Sequence, residues 1–138
     1  MQRREGEMTM ENTHVYKSEN GQIAIETLYC VGGYVTYKIT VSTVGFAGES
    51  SICLYEPDIQ TCVFQLDQMS DSLQGSLEIC DGESDDFVRL EFDGPLKLYL
   101  NGQIGGSHRD NYLHFKFQVD QTILPILKKS LLDYSEGK

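Results

Sequence analysis

The 138-residue sequence predicts one α+β domain, mainly antiparallel β-sheet, with the sheet either open or folded into a sandwich. Three observations carry this expectation. Several short stretches alternate apolar and polar residues and end at glycine-containing breaks, the pattern of half-buried strands. Two longer stretches instead place apolar residues on one helical face. The connections between consecutive strands are short, which requires antiparallel pairing. An apolar content of 40% with 10% aromatics is enough for a core and too rich for a disordered chain.

Residues 1–20 mix charged and polar types without a period and read as a mobile tail, leaving 21–138 as the domain. Ile23, Ile25, Thr27 and Tyr29 alternate with Gln22, Ala24, Glu26 and Leu28, a strand that ends at Gly32-Gly33. Val35, Tyr37, Ile39 and Val41 give a cleaner one, and Ser50 to Tyr55 a third. Glu56-Pro57-Asp58 then opens a helix. Proline at the first helical position forfeits no hydrogen bond, and the acids suit the positive end of the helix dipole. Ile59, Cys62, Val63, Leu66, Met69 and Leu73 form its buried face, and Gly75 is a natural stop.

Further strands follow around Leu77 and Ile79, then Val88, Leu90 and Phe92, then Leu96 to Ile104. Asn101-Gly102 carries a hairpin signature, but Gly105-Gly106 lies so close behind it that the turn is placed at the glycine pair. Leu113, Phe115, Phe117 and Val119 make the strongest strand. A C-terminal helix capped by Thr122 puts Pro125 where its missing N–H would have had no partner. The total is about seven strands and two helices, one helix after the third strand and one at the C-terminus, with no internal repeat.

Charge is the most uneven property of the chain. Residues 56–94 hold eleven acids (Glu56, Asp58, Asp67, Asp71, Glu78, Asp81, Glu83, Asp85, Asp86, Glu91 and Asp93) and one base, Arg89. The rest carries acids and bases in equal number, so the whole formal charge of −10 sits in this segment. Such a field repels nucleic acid and anionic membrane and attracts a basic protein. No apolar run is long enough to span a bilayer, and the start lacks the apolar centre of a signal peptide. Cys30, Cys53, Cys62 and Cys80 show no CxxC or CxxH spacing and read as reduced thiols of a cytoplasmic protein.

Chemistry is sparse. His14, His108 and His114 are scattered, and His108-Arg109-Asp110 lacks the accompanying motifs of a kinase. The loop Asp81-Gly82-Glu83-Ser84-Asp85-Asp86 offers hard oxygen ligands but not the length or distal glutamate of a calcium-binding EF-hand. No catalytic residue, metal site or cofactor is therefore assigned. Asp67, Asp71, Glu78, Asp81, Glu83, Asp85, Asp86 and Glu91 are the candidate partner-binding acids, with Tyr55, Tyr99 and Tyr112 on polar strand faces as aromatic anchors. The alternative is a small-ligand module whose aromatic groove lies between the sheet and the C-terminal helix.

The order of elements, together with Gly75-Ser76-Leu77 and the closing Phe115-Lys116-Phe117…Asp120-Gln121-Thr122-Ile123-Leu124, resembles the WapI-type immunity proteins and related small bacterial families of polymorphic toxin systems. That resemblance implies a non-catalytic inhibitor that covers the basic surface of a toxin domain.

Overall fold

Each half of the chain forms a four-stranded antiparallel meander followed by a helix. The computed structural model describes residues 13–94, 96–105 and 112–136. The first sheet contains β1 (Thr13–Lys17), β2 (Gly21–Val31), β3 (Tyr34–Thr43) and β4 (Phe46–Tyr55), adjacent in that order, and leads into α1 (Glu56–Ser72). The second contains β5 (Ser76–Cys80), β6 (Phe87–Phe92), β7 (Leu98–Ile104) and β8 (Leu113–Val119), again in sequence order, and leads into α2 (Ile123–Glu136). The sequence shows no repeat, yet the topology repeats: four strands and a helix, twice.

The helices line the inward side of the sheets. α2 packs on β1 and β2, while α1 packs on β5, β4 and α2. Each half thus covers apolar surface presented by the other. The core runs from Ile23, Val35, Tyr37 and Ile39 of the first sheet through Ile59, Leu66, Ile123, Leu127 and Leu131 of the helices to Leu90, Leu98 and Leu100 of the second sheet. Burying each such aliphatic side chain contributes about 1.5–3 kcal/mol before entropy is counted. Tyr37 is buried with them, and its hydroxyl donates to the Leu131 carbonyl at 2.7 Å. The groove expected between sheet and C-terminal helix is therefore corrected: Ile123, Leu127 and Leu131 fill that space.

Other expectations change as well. The tail read over 1–20 stops short, because Thr13–Lys17 is an edge strand paired with β2. Tyr16 is only 1% exposed, and its oxygen accepts the Asp120 N–H at 2.9 Å. Five residues are too few for a period to stand out, which is why the sequence predicts seven strands where the described residues form eight. The first helix accordingly follows the fourth strand.

The alternation of β2 does not run through to Tyr29. Thr27 pairs with Tyr37 and Tyr29 pairs with Thr36, so Leu28 is a bulge. The extra residue switches faces and turns Tyr29 outward. At α1, the helix starts at Glu56, placing Pro57 second rather than first. It closes at Leu73, which takes a left-handed conformation (φ 58°), two residues before Gly75.

The four cysteines are free thiols, with Cys62 buried and Cys80 exposed. Burial pushes the Cys62 thiol up to about 11 from its ordinary 9.0, with the Asp58 carboxylate adding to the effect. A thiol held protonated by the fold contributes its full stabilisation below pH 9 and loses it as pH rises towards 11. Urea unfolding should therefore show stability falling across that window. In Cys62→Ala the fall becomes shallower, with Tyr37, whose pKa burial also raises, still contributing at the top of the range.

Candidate nucleic-acid interface

The outward face of the first sheet ends in a cluster of tyrosines. In β3, Val35, Tyr37, Ile39 and Val41 point inward, which sends Tyr34, Thr36, Lys38 and Thr40 outward. Tyr34 pairs across to Tyr55 at the end of β4, and the two rings lie 4.9 Å apart at 31°. Val31 pairs with Tyr34 from the other side, and the Leu28 bulge brings Tyr29 onto the same face opposite Thr36. Tyr29, Val31, Tyr34 and Tyr55 are 46–68% exposed. Apolar side chains of this size grouped on one exposed face are what a binding surface requires and a core does not explain.

Beside this cluster lies a cavity of about 570 Å³. Tyr29, Val31 and Tyr34 form one side, Thr36, Ser51 and Cys53 the strand floor, and Gly82 and Glu83 the rim. The rim belongs to the β5–β6 loop of the other sheet, and Asp81 fixes it there. The Asp81 Oδ1 accepts the Cys53 N–H at 3.0 Å and the Glu83 N–H at 3.3 Å, and Oδ2 accepts the Ser84 hydroxyl at 2.6 Å. The Gly82 N–H donates to the Cys53 carbonyl at 3.3 Å. From sequence, the acids of this loop are candidate partner-binding residues. Its first and last acids are instead structural.

Asp86 is 2% exposed; Ser50 of β4 donates to it, and Gln103 of β7 lies 3.4 Å away. It ties the two sheets together at their junction.

The remaining acids are dispersed rather than converging. Asp67 on α1 is paired with Lys128 of α2 at 2.9 Å, and Asp71 lies exposed near the end of α1. Glu78 and Glu91 lie on the outward face of the second sheet, where Arg89 stands 3.4 Å from Glu91. Asp85 is exposed in the loop, and Glu83 alone among the acids named reaches the cavity.

The tyrosines named from sequence also separate. Tyr55 joins the cluster on the first sheet. Tyr99 lies on the second sheet beneath the Lys116 ammonium, 4.9 Å from the ring centre, and Tyr112 stands 5.2 Å from the His114 ring. The single acidic, partner-facing surface expected from residues 56–94 is thus not formed. By contrast, the strand residues of the first sheet's outward face carry two lysines, Lys17 and Lys38, and two glutamates, Glu26 and Glu49. That face is electrically balanced.

His14 approaches Asp133 at 3.3 Å, and His114 approaches Gln103 at 2.8 Å on the outward side of the second sheet. His108, Arg109 and Asp110 lie outside the described residues. Among the described residues no three His, Cys, Asp or Glu side chains are grouped to hold a metal ion, and no helix is long and apolar enough to cross a membrane.

No family model and no curated protein matches the chain. Solved structures do. WHY1 from Arabidopsis thaliana is 12% identical, over 86% of this chain and 80% of that one, with a TM-score of 0.51. The chain shares its fold. WHY3 from the same plant (9% identical, 91% of this chain and 90% of that one, TM-score 0.45) is a more distant likeness. So is the plant transcriptional regulator PBF-2 (9% identical, 91% and 84%, TM-score 0.46).

The fold shared with WHY1 overturns the reading as a bacterial immunity-type inhibitor of a basic toxin domain. It also overturns the exclusion of nucleic acid as a partner. The physical reason is the same in both: the charge of residues 56–94 lies on α1, the β5–β6 loop and the second sheet, and it does not extend over the strand residues of the first sheet's outward face.

Proposed function

We propose that this chain is a non-enzymatic module that binds single-stranded nucleic acid on the outward face of its first sheet. One observation carries the reading: Tyr29, Tyr34 and Tyr55 form an exposed aromatic platform on an electrically balanced sheet face. Bases released from a duplex expose their π-faces and stack on such rings, each stack contributing about 1–3 kcal/mol. A duplex hides those faces, and this surface has too few cations to hold it by phosphates alone. The fold shared with WHY1, and the description of PBF-2 as a transcriptional regulator, fit a role in handling nucleic acid. The four free thiols fit a reducing compartment such as the cytosol.

Fluorescence anisotropy with a labelled single strand, and with the same sequence as a duplex, tests the proposal. The single strand should bind and the duplex should bind at least tenfold more weakly. Equal affinity for the two, or no binding of either, would remove it.

A further inference from the structure

Resting on that reading, we infer that the cavity beside the tyrosines is a guanine-selective base site, with the Glu83 carboxylate as its specificity-determining group. The cavity volume of about 570 Å³ has room for a nucleoside, and its aromatic side supplies a stacking wall. Its rim offers a carboxylate, a pure hydrogen-bond acceptor with two oxygens. Guanine alone among the common bases presents two adjacent donors on its Watson–Crick edge, N1–H and the 2-amino group. Thymine and uracil present one N–H between two carbonyl oxygens, which a carboxylate repels. Cytosine and adenine place an acceptor nitrogen beside their amino group.

The rim is held in place before any ligand arrives. Asp81 accepts the Glu83 N–H and the Cys53 N–H, so the loop carrying Glu83 is pinned to the strand that floors the cavity. A loop backbone fixed in advance spends little ordering entropy on binding. The negative rim also decides orientation, since phosphates are repelled from Glu83 and the base is the part of the nucleotide that can enter. Thr36 and Ser51 supply hydroxyls on the floor for the remaining polar edge of the ring.

Anisotropy with an oligothymidine of about twelve nucleotides, and with the same strand carrying one central guanine, tests the inference. The guanine should tighten binding about tenfold, the discrimination expected of one good two-point contact to a base. Replacing that guanine by hypoxanthine, which lacks the 2-amino group, should return part of the gain. In Glu83→Gln and Glu83→Ala the ratio of guanine to thymine affinity should fall towards one.

A guanine strand no tighter than oligothymidine, or a preference that survives both substitutions, would overturn this site while leaving the tyrosine platform in place. Failure of every strand to bind would overturn both.

Discussion

Gly102→Ala should be the most destabilising glycine-to-alanine change among the described residues, costing about 3 kcal/mol or more. Gly102 sits mid-strand in β7, opposite Val88 of β6 and Phe115 of β8. A Cβ there would stand 2.2 Å from the Phe87 carbonyl oxygen and 3.1 Å from the Phe115 ring. The ring could shift by a few tenths of an ångström, but the carbonyl belongs to the adjacent strand's backbone. Moving it breaks the β6–β7 ladder beside Asp86, the residue joining the two sheets. Glycine inside a strand commonly marks such a close approach. Urea denaturation checks the figure. A variant within 1 kcal/mol of the parent would contradict the strand packing described for the second sheet.

The second large effect concerns binding rather than stability. Tyr34→Ala combined with Tyr55→Ala should weaken single-strand binding about thirtyfold, equivalent to about 2 kcal/mol of lost stacking. Both rings are about half exposed, so the fold should lose no more than their mutual contact, about 0.5–1 kcal/mol. Tyr99→Ala on the other sheet is the control and should leave affinity within twofold. Salt gives an independent check. With only Lys17 and Lys38 on the platform's sheet face, about two phosphate contacts are available. Raising salt from about 50 to 200 mM should then weaken binding by less than about tenfold. A steeper dependence would contradict binding through the first sheet's outward face alone.

Sequence periodicity carried most of the architecture because the strongest elements have one buried face each. Leu113–Val119 alternates without interruption, and Ile59, Cys62, Val63, Leu66 and Met69 are all buried on α1 as their spacing requires. Asn101-Gly102 lies within β7 rather than at a hairpin turn. The failures have specific causes. β1 is five residues long, and its Tyr16 gains its meaning from Asp120, far away in sequence.

The bulge at Leu28 leaves no mark in composition, since register is a property of two strands and not of one. Without it Tyr29 reads as inward-facing, and one of the platform's three rings is lost to view. Tyr34 was legible: continuing the Thr36, Lys38, Thr40 parity one step back places it outward beside Tyr55. The charged segment gives the stronger compositional signal, yet in it Asp81 and Asp86 are joints of the fold and Asp67 and Glu91 are paired with nearby bases.

The platform can be interrogated through its own thiol. Cys53 lies on the floor of the tyrosine-side cavity, whereas Cys80 is exposed on the second sheet. Residue-resolved alkylation of the full chain, with and without a saturating single-stranded oligonucleotide, measures both sites at once. Binding at the tyrosine face predicts slowed modification of Cys53 with Cys80 unchanged; protection of Cys80 alone, or of neither thiol under conditions where the strand is bound, would contradict it.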